Sequence, residues 1–406
     1  MKGVEVIRSK RTSTGYEVCF NYADDKAAAV KVAGDFGFYV KNDYRLLGAG
    51  FLLPAGDSSS NYLVGPESWR RSMDFRHINL DEKYYEIDMA KGEDGVWTAS
   101  ISLPCCCYTY YFSVSYDGKT WESKADPGAE KLMGDDLRAQ FYVPYDYERQ
   151  DDDWTWILPF ADESKGGTLE YFTYDGVGGK SGLLCGVYLP AGYDPARPVP
   201  YKTLYLSHGA RGDATDWFTL GNAKNIADRL MLSGDAESCV IVTMSNTEYR
   251  EGDSLTSKWD YDACYDTLIE VLVPTIEGKY NVSKEGKDRA FAGLSRGAMF
   301  ANEVFFHEPS AFGYYGIFSG SAAWDWMKWE DLEEMRKPHL YLGAGFGDYL
   351  LLNSLADEPD TSIQGLKALL EEYEVPYDDF VLVPGGHDWF AWSQLLRNFM
   401  LNSLWK

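Results

Sequence analysis

The chain has 406 residues and a formal net charge of −25, with 63 aspartates and glutamates against 38 lysines and arginines. Such a negative surface repels phosphate backbones and anionic lipid headgroups, which argues against nucleic-acid and membrane partners. The length favours two domains, and a hydrophobic content of 45% is ordinary for a globular protein.

Residues 1–145 alternate apolar and polar side chains with the period of two that is typical of strands. The alternation is clearest in four segments separated by turns rich in glycine and aspartate, at 16–20, 30–32, 97–103 and 108–114. We predict an antiparallel β-sandwich here. The N-terminal MKGVEVIRSK lacks the apolar stretch of a signal peptide, and no apolar run is long enough to span a bilayer, so the cellular location stays open.

The seven cysteines are odd in number, and Cys105, Cys106 and Cys107 are consecutive, which a disulfide framework cannot easily use. We expect free thiols. Neither a C-x-x-C pair nor an H-E-x-x-H motif occurs, so the sequence predicts no metal site, and nothing in it requires an organic cofactor.

Residues 146–166 are charged and then aromatic, and we interpret them as a linker. From residue 167 to 406, apolar strands alternate with helices, for example strands at 184–189, 203–206 and 239–244 and a helix at 261–280. This order predicts an α/β domain with a mostly parallel sheet and helices on both faces. Catalytic groups in such sheets lie beyond the carboxyl ends of the strands.

A candidate nucleophile lies in DRAFAGLSRGAMFANEVFFHE, where Ser295 is the centre of a G-x-S-x-G motif between an apolar strand and a helix. This motif holds a serine on a strained, exposed turn, and its glycines are needed because a Cβ at either position would collide with that turn or with the helix.

A nucleophilic serine needs a base, almost always histidine, and the chain has five. His77 lies in the sandwich, His208 beside the expected oxyanion loop, His307 at the far end of the serine helix, and His339 at the amino end of a strand. His387, in PGGHDWFAW after the last strand, is therefore the predicted base.

The third member of a catalytic triad is a carboxylate that orients the histidine, between serine and histidine in this chain order. Asp348 fits best, in a glycine-rich loop after a strand. Asp325 is the alternative, and Asp357 and Glu358 lie further along the chain. For the oxyanion hole we predict the backbone amides of Ala210, in the loop SHGARGDATDW, and of Arg296, which follows the serine.

Two resemblances follow from these motifs. AVKVAGDF, DGVWTASISL and YTYYFSVSYDG resemble the immunoglobulin-like, early-set β-sandwich of family 48 carbohydrate-binding modules over about the first 130 residues. VYLPAGYD, YLSHGARGDATDWF, AGLSRGAMFA, FGYYGIFSGS and GGHDWFAWSQLL, in this order, resemble carbohydrate esterase family 1, which includes feruloyl and acetyl xylan esterases.

The second resemblance implies an α/β-hydrolase fold with Ser295, Asp348 and His387 as the triad, and with Trp217, Trp389 and Trp392 lining or supporting the substrate cleft. It implies hydrolysis of feruloyl or acetyl esters on plant cell-wall polysaccharide such as arabinoxylan, without a cofactor. Two alternatives stay open. One is a siderophore or small-molecule esterase of the same fold, and the other is a non-catalytic glycan-binding protein.

Overall fold

The computed structural model describes residues 2–40, 73–75, 85–129, 132–133, 137–150, 154–210, 212–251, 258–320, 328–345, 348 and 362–406. Contacts group the chain into two units. The first comprises Met1–Leu158 and Pro384–Phe390, and the second comprises Pro159–Val383 and Ala391–Lys406. The domain bounds expected from the sequence, 1–145 and 167–406 with a linker at 146–166, stay a prediction.

Antiparallel strands make up the described sheets of the first unit. The strands are β1 (Val4–Arg8), β2 (Tyr16–Ala23), β3 (Ala29–Gly34), β4 (Phe38–Val40), β5 (Met73–Phe75), β6 (Tyr85–Asp88), β7 (Ala90–Lys91), β8 (Val96–Ile101), β9 (Cys106–Ser115), β10 (Glu122–Lys124), β11 (Leu132–Met133) and β12 (Arg138–Val143). One sheet has the order β1-β2-β8-β7. Another has the order β11-β12-β9-β3-β6, with β10 paired to β9, and β4 pairs with β5 alone.

The core of this unit forms where alternate side chains of the two larger sheets face each other. Val18 and Phe20 of β2 are fully buried, and so is Phe112 of β9. The ring of Phe20 lies 5.3 Å from that of Tyr110 on the opposite sheet. Burial of one face of each sheet is what the period-two pattern predicts, and the antiparallel sandwich is confirmed.

The second unit contains an eight-stranded sheet. Its strands are β13 (Thr168–Tyr174), β14 (Leu183–Leu189), β15 (Lys202–Ser207), β16 (Cys239–Met244), β17 (Arg289–Leu294), β18 (Tyr314–Phe318), β19 (His339–Gly345) and β20 (Asp379–Val383). Their order is β13-β14-β16-β15-β17-β18-β19-β20. The β13–β14 and β14–β16 pairs are antiparallel, and every later pair is parallel.

The described helices of the chain accompany this sheet. They are α1 (Asp216–Thr219), α2 (Ala223–Ser233), α3 (Tyr261–Asp266), α4 (Val273–Lys279), α5 (Arg296–His307), α6 (Leu332–Met335), α7 (Ile363–Glu372) and α8 (Trp389–Asn402). A π-helical segment, Thr267–Leu272, joins α3 to α4. Helix α5 packs on β17 and β18. The predicted α/β-hydrolase fold is confirmed.

The central strands show why the chain adopts this sheet. Every residue of β16, whose sequence is CVIVTM, is buried, and β15 and β17 are buried except at their first residues. Continuous burial requires a cover on both faces, which helices on each side of a mostly parallel sheet supply. Because β15 and β17 are adjacent and parallel, Ser207 pairs with Gly293 at their carboxyl ends, and the loops that follow emerge side by side.

Candidate active site

Ser295 occupies a strained backbone position between β17 and α5. Its φ is 51° and its ψ is −116°, a region that costs a non-glycine residue about 1–3 kcal/mol. Its amide donates a 2.9 Å hydrogen bond to the carbonyl of Phe318, at the end of the neighbouring strand β18. The side chain is half-buried. This is the geometry of a strand-to-helix turn that presents a serine hydroxyl.

The two glycines of the motif are sterically required. A Cβ on Gly293 would collide with the carbonyl oxygen of Gly297, and a Cβ on Gly297 would collide with the carbonyl oxygens of Ser207 and His208. These partners are backbone atoms, which cannot move aside cheaply. The steric reason that the sequence suggests for both glycines is therefore confirmed.

The loop after β15 passes directly beside the serine. A Cβ built on Gly209 would lie 3.4 Å from the Cβ of Ser295 and 2.7 Å from Cδ1 of Leu294, so the backbone of this loop runs in close contact with the serine turn. Ala210 follows in the chain. Arg296 is the first residue of α5, where backbone amides point toward the N-terminal end of the helix and carry its positive dipole. The structure thus brings the predicted oxyanion loop to Ser295, while the donor roles of the Ala210 and Arg296 amides stay predictions.

His208, which follows β15 and begins this loop, is fully buried and bonds to the loop backbone. Its Nε2 accepts a 3.2 Å hydrogen bond from the amide of Asn246, so Nδ1 carries the proton and donates to the carbonyl of Gly209 at 2.7 Å. Burial lowers the pKa of His208 below 6.5, the main cause being desolvation of the charged form. A neutral ring with both nitrogens bonded to backbone is a structural clamp, which agrees with its exclusion as the base.

Sequence reasoning missed Asn246, which completes the clamp. Its side-chain nitrogen donates to Oγ of Ser207 at 2.7 Å and to the carbonyl of His208 at 3.0 Å, and the residue is fully buried. The only signal in the sequence is its position two residues after strand β16, at the carboxyl edge of the sheet. The end of β15 is therefore fixed by a buried polar network.

Two of the three predicted cleft tryptophans are buried and donate hydrogen bonds to residues that end β15 or follow β18. Trp217 is 1% exposed and donates from Nε1 to the carbonyl of Ser207 at 3.0 Å. Trp392 is also buried and donates from Nε1 to Oγ of Ser319 at 3.0 Å. Trp389 is half-buried at the start of α8. A substrate-facing role for any of them stays a prediction.

Asp348 and His387 follow neighbouring strands. Asp348 is 5% exposed and comes three residues after the end of β19, where its amide donates to the carbonyl of Gly345 at 3.1 Å. His387 is half-buried in the loop between β20 and α8, and this loop groups with the first unit. Convergence of the two with Ser295 stays a prediction. Asp325, Asp357, Glu358 and His77 lie outside the described residues.

The other described histidines of the second unit are placed where they cannot serve Ser295. His307 ends helix α5, about 18 Å along the axis from its start. His339 begins β19, at the amino end of a strand parallel to β17, and its Nδ1 lies 2.9 Å from Oδ1 of Asp378. With His208 engaged as a clamp, His387 is left as the predicted base.

A family model described as "Putative esterase" matches residues 183–401, more than half of the chain. The chain belongs to this esterase family. The match begins with strand β14 and spans Ser295, Asp348 and His387. Among the described residues, no helix has the length and apolarity needed to cross a bilayer.

Two curated relatives match the chain over part of their own length. The chain is 25% identical over 325 residues to an endo-1,4-beta-xylanase/feruloyl esterase of Xylanibacter ruminicola, which covers 78% of this chain and 41% of that protein. It is 26% identical over 133 residues to an uncharacterized protein of Corynebacterium glutamicum, covering 33% of this chain and 31% of that protein. The matches thus span less than half the length of these relatives.

Solved structures agree with the fold. The enterobactin esterase from Shigella flexneri gives a TM-score of 0.57 at 15% identity, covering 100% of this chain and 97% of that chain. The family 1 ferulic acid esterase from Anaeromyces mucronatus gives 0.50 at 19% identity, covering 62% and 96%. These likenesses establish an α/β-hydrolase preceded by antiparallel sheets. That the sheets form a family 48 carbohydrate-binding module stays a prediction.

Proposed function

We propose that this esterase hydrolyses feruloyl or acetyl esters on plant cell-wall polysaccharide such as arabinoxylan, with Ser295, His387 and Asp348 as its catalytic triad. The observation that carries the proposal is the strained Ser295, held at a strand-to-helix turn beside the Gly209 loop in a domain of the esterase family. The acyl group is suggested by the Xylanibacter ruminicola relative, which is named a feruloyl esterase.

The reaction follows from the chemistry of the three side chains. His387 takes the proton of the Ser295 hydroxyl as its oxygen attacks the ester carbonyl, and Asp348 orients the imidazole and stabilises its cation. The tetrahedral intermediate collapses to an acyl-enzyme, and the sugar alcohol leaves with the proton. His387 then activates water, which releases the carboxylic acid and restores the serine.

In this proposal the backbone amides of Ala210 and Arg296 stabilise the negative charge of the tetrahedral intermediate. Each amide contributes about 3 kcal/mol of transition-state stabilisation. Two features of the second unit support this assignment. Gly209 brings the loop of Ala210 against Ser295, and the buried clamp of His208 and Asn246 fixes that loop before substrate binds. Donors that are held in place need no reorganisation during the reaction, which is where most of their effect lies.

A fluorophosphonate probe tests the nucleophile. The native protein should be labelled, and Ser295→Ala should abolish labelling. Ser319→Ala is the matched control, since Ser319 also has a positive φ of 54° and follows the neighbouring strand, yet its hydroxyl accepts from Trp392. Labelling that persists in Ser295→Ala would refute the assignment. No labelling of the native protein would favour the non-catalytic, glycan-binding alternative.

An ester panel tests the substrate. Turnover of methyl ferulate and release of acetate from acetylated xylan are compared with turnover of 4-nitrophenyl butyrate and of a catecholate lactone. Preference for either of the first two supports the proposal, and preference for the lactone or butyrate supports the siderophore or small-molecule alternative. We expect His387→Ala to lower kcat by about 10³-fold or more with the fold intact. Near-normal turnover would exclude His387 as the base.

A further inference from the structure

A deep acidic cavity lies at the C-terminal end of helix α5, the end remote from Ser295. Its volume is about 900 Å³, and its walls come from the second unit alone. Eight aspartates and glutamates line it, against two lysines and one histidine. A concave surface with this charge concentrates cations.

Three of the lining side chains converge on one point. Glu303 and His307 are four residues apart on α5 and therefore share a face of the helix, and Asp262 comes from the first turn of α3. One ligand atom from each lies within 4.8 Å of the others. Nε2 of His307 is 4.0 Å from Oδ1 of Asp262.

The histidine is oriented for metal binding. Its Nδ1 lies 3.2 Å from the carbonyl oxygen of Glu303, to which it donates when protonated. When Nδ1 carries the proton, Nε2 has a lone pair available to bind an ion, and Oδ1 of Asp262 lies 4.0 Å from it. Metal-bound histidines commonly donate their second ring N–H to a backbone carbonyl in this way.

Glu303 supplies an independent observation. It is 2% exposed, and its Oε2 is buried and accepts no hydrogen bond from any residue that the structure describes. A buried carboxylate without donors is costly, and this one faces further negative charge. The esterase reaction has no use for this group.

We propose that Asp262, Glu303 and His307 bind a divalent metal ion of the Zn²⁺ type, which links α3 to α5. One imidazole nitrogen and two carboxylate oxygens, with water from the cavity in the fourth position, suit Zn²⁺, whereas Ca²⁺ and Mg²⁺ require six or more oxygen ligands. Zinc bonds of about 2.0–2.2 Å place ligand atoms roughly 3.4 Å apart. Asp262, which is 87% exposed, has the freedom to close the remaining gap.

The first test is zinc binding by the full chain after treatment with a chelator. Calorimetric titration with ZnCl₂ at pH 7.5 should show one saturable site of micromolar Kd, and the ion should raise the Tm by several degrees, while MgCl₂ at the same concentration changes neither. Absence of saturable binding, or equal effects of both ions, overturns the proposal.

Variants locate the site. Glu303→Gln and His307→Gln should each weaken Zn²⁺ binding at least tenfold. Two matched controls should bind as the native protein does: Glu330→Gln, an exposed carboxylate of the same cavity, and His339→Gln, an exposed histidine beside a carboxylate elsewhere. Unchanged binding in His307→Gln, whose side chain is 41% exposed, would place the ion elsewhere and refute the assignment.

Discussion

The backbone of Ser295 can be tested by comparing two substitutions that both remove the nucleophile. Ser295→Ala retains a Cβ at φ 51° and ψ −116°, whereas Ser295→Gly removes it. Both variants lose every interaction of the hydroxyl, so their difference contains only the strain of the turn and the extra backbone entropy of glycine. We expect Ser295→Gly to be the more stable of the two.

The magnitude follows from two opposing terms. Holding an L-residue in this region costs about 1–3 kcal/mol. Glycine avoids that cost but loses about 0.5–1 kcal/mol more backbone entropy on folding. The net expectation is that Ser295→Gly exceeds Ser295→Ala by about 1 kcal/mol, which for a unit of this size raises Tm by roughly 2–4 °C. Scanning calorimetry of the full chain measures this difference.

Ser233 provides the control, since it lies at the end of helix α2 in ordinary helical conformation. There the order should reverse, with Ser233→Gly less stable than Ser233→Ala by up to about 1 kcal/mol. If Ser295→Gly is equal to or less stable than Ser295→Ala while Ser233 shows the expected order, the turn stores no strain, and the reasoning about the nucleophile position is wrong.

Three further predictions concern other residues. Asn246→Ala removes a buried donor of two hydrogen bonds, so the free energy of unfolding, measured by urea denaturation, should fall by about 2–4 kcal/mol. In a 4-nitrophenyl acetate assay, kcat should fall by roughly tenfold at similar KM. The pKa of His208 in the folded state lies below the value of 6.5 in the unfolded state, so the unfolded state binds more protons. The stability that this histidine contributes is therefore complete above pH 6.5 and is lost as the pH falls, by up to about 1.4 kcal/mol at pH 5.5. The loss should be smaller in His208→Asn. Trp154→Ala should lower kcat severalfold. The Trp154 ring lies 4.7 Å from that of Phe390 in the first unit, and Phe390 belongs to the segment Pro384–Phe390, which carries His387.

Each of these predictions has a control. Asn225→Ala, at a half-buried helix position, should leave kcat unchanged, and equal kinetics in both asparagine variants would show that the clamp does not serve the loop. An unchanged pH dependence in His208→Asn would assign the acid sensitivity to other groups. Trp121→Ala, which removes an exposed ring of the same sandwich, should retain full activity. Full activity of Trp154→Ala as well would show that the packing of Trp154 does not position His387.

The fold could be predicted because its strands are patterned locally. The nearly continuous apolar run of β16 and the alternation in β2 each specify their environment within six to eight residues. Ser295 was found for the same reason, since its glycines, strand and helix are contiguous. The grouping of Pro384–Phe390 with the first unit could not be predicted, because it depends on contacts with residues more than two hundred positions away.

Side-chain networks that join distant segments could not be predicted from the sequence either. Asn246 reaches back to the end of β15, and its partners are about 40 residues earlier. The convergence of Asp262 with Glu303 and His307 likewise brings together two helices that are separated in the chain by α4 and β17. Searches for C-x-x-C or H-E-x-x-H cannot find an E-x-x-x-H pair whose third ligand lies on another helix. Contact across the fold, and not spacing, defines such sites.

Helix α5 carries two departures from ordinary protein structure, one near each end. At its start, Ser295 holds a backbone conformation that non-glycine residues avoid, and near its end Glu303 keeps a buried oxygen for which the described residues offer no donor. Departures of this kind persist where function requires them. The chemistry of an esterase accounts for Ser295, because a serine nucleophile must be presented on such a turn. It does not account for Glu303, about 12 Å further along the helix. The divalent ion proposed at Asp262, Glu303 and His307 would account for the position of this carboxylate.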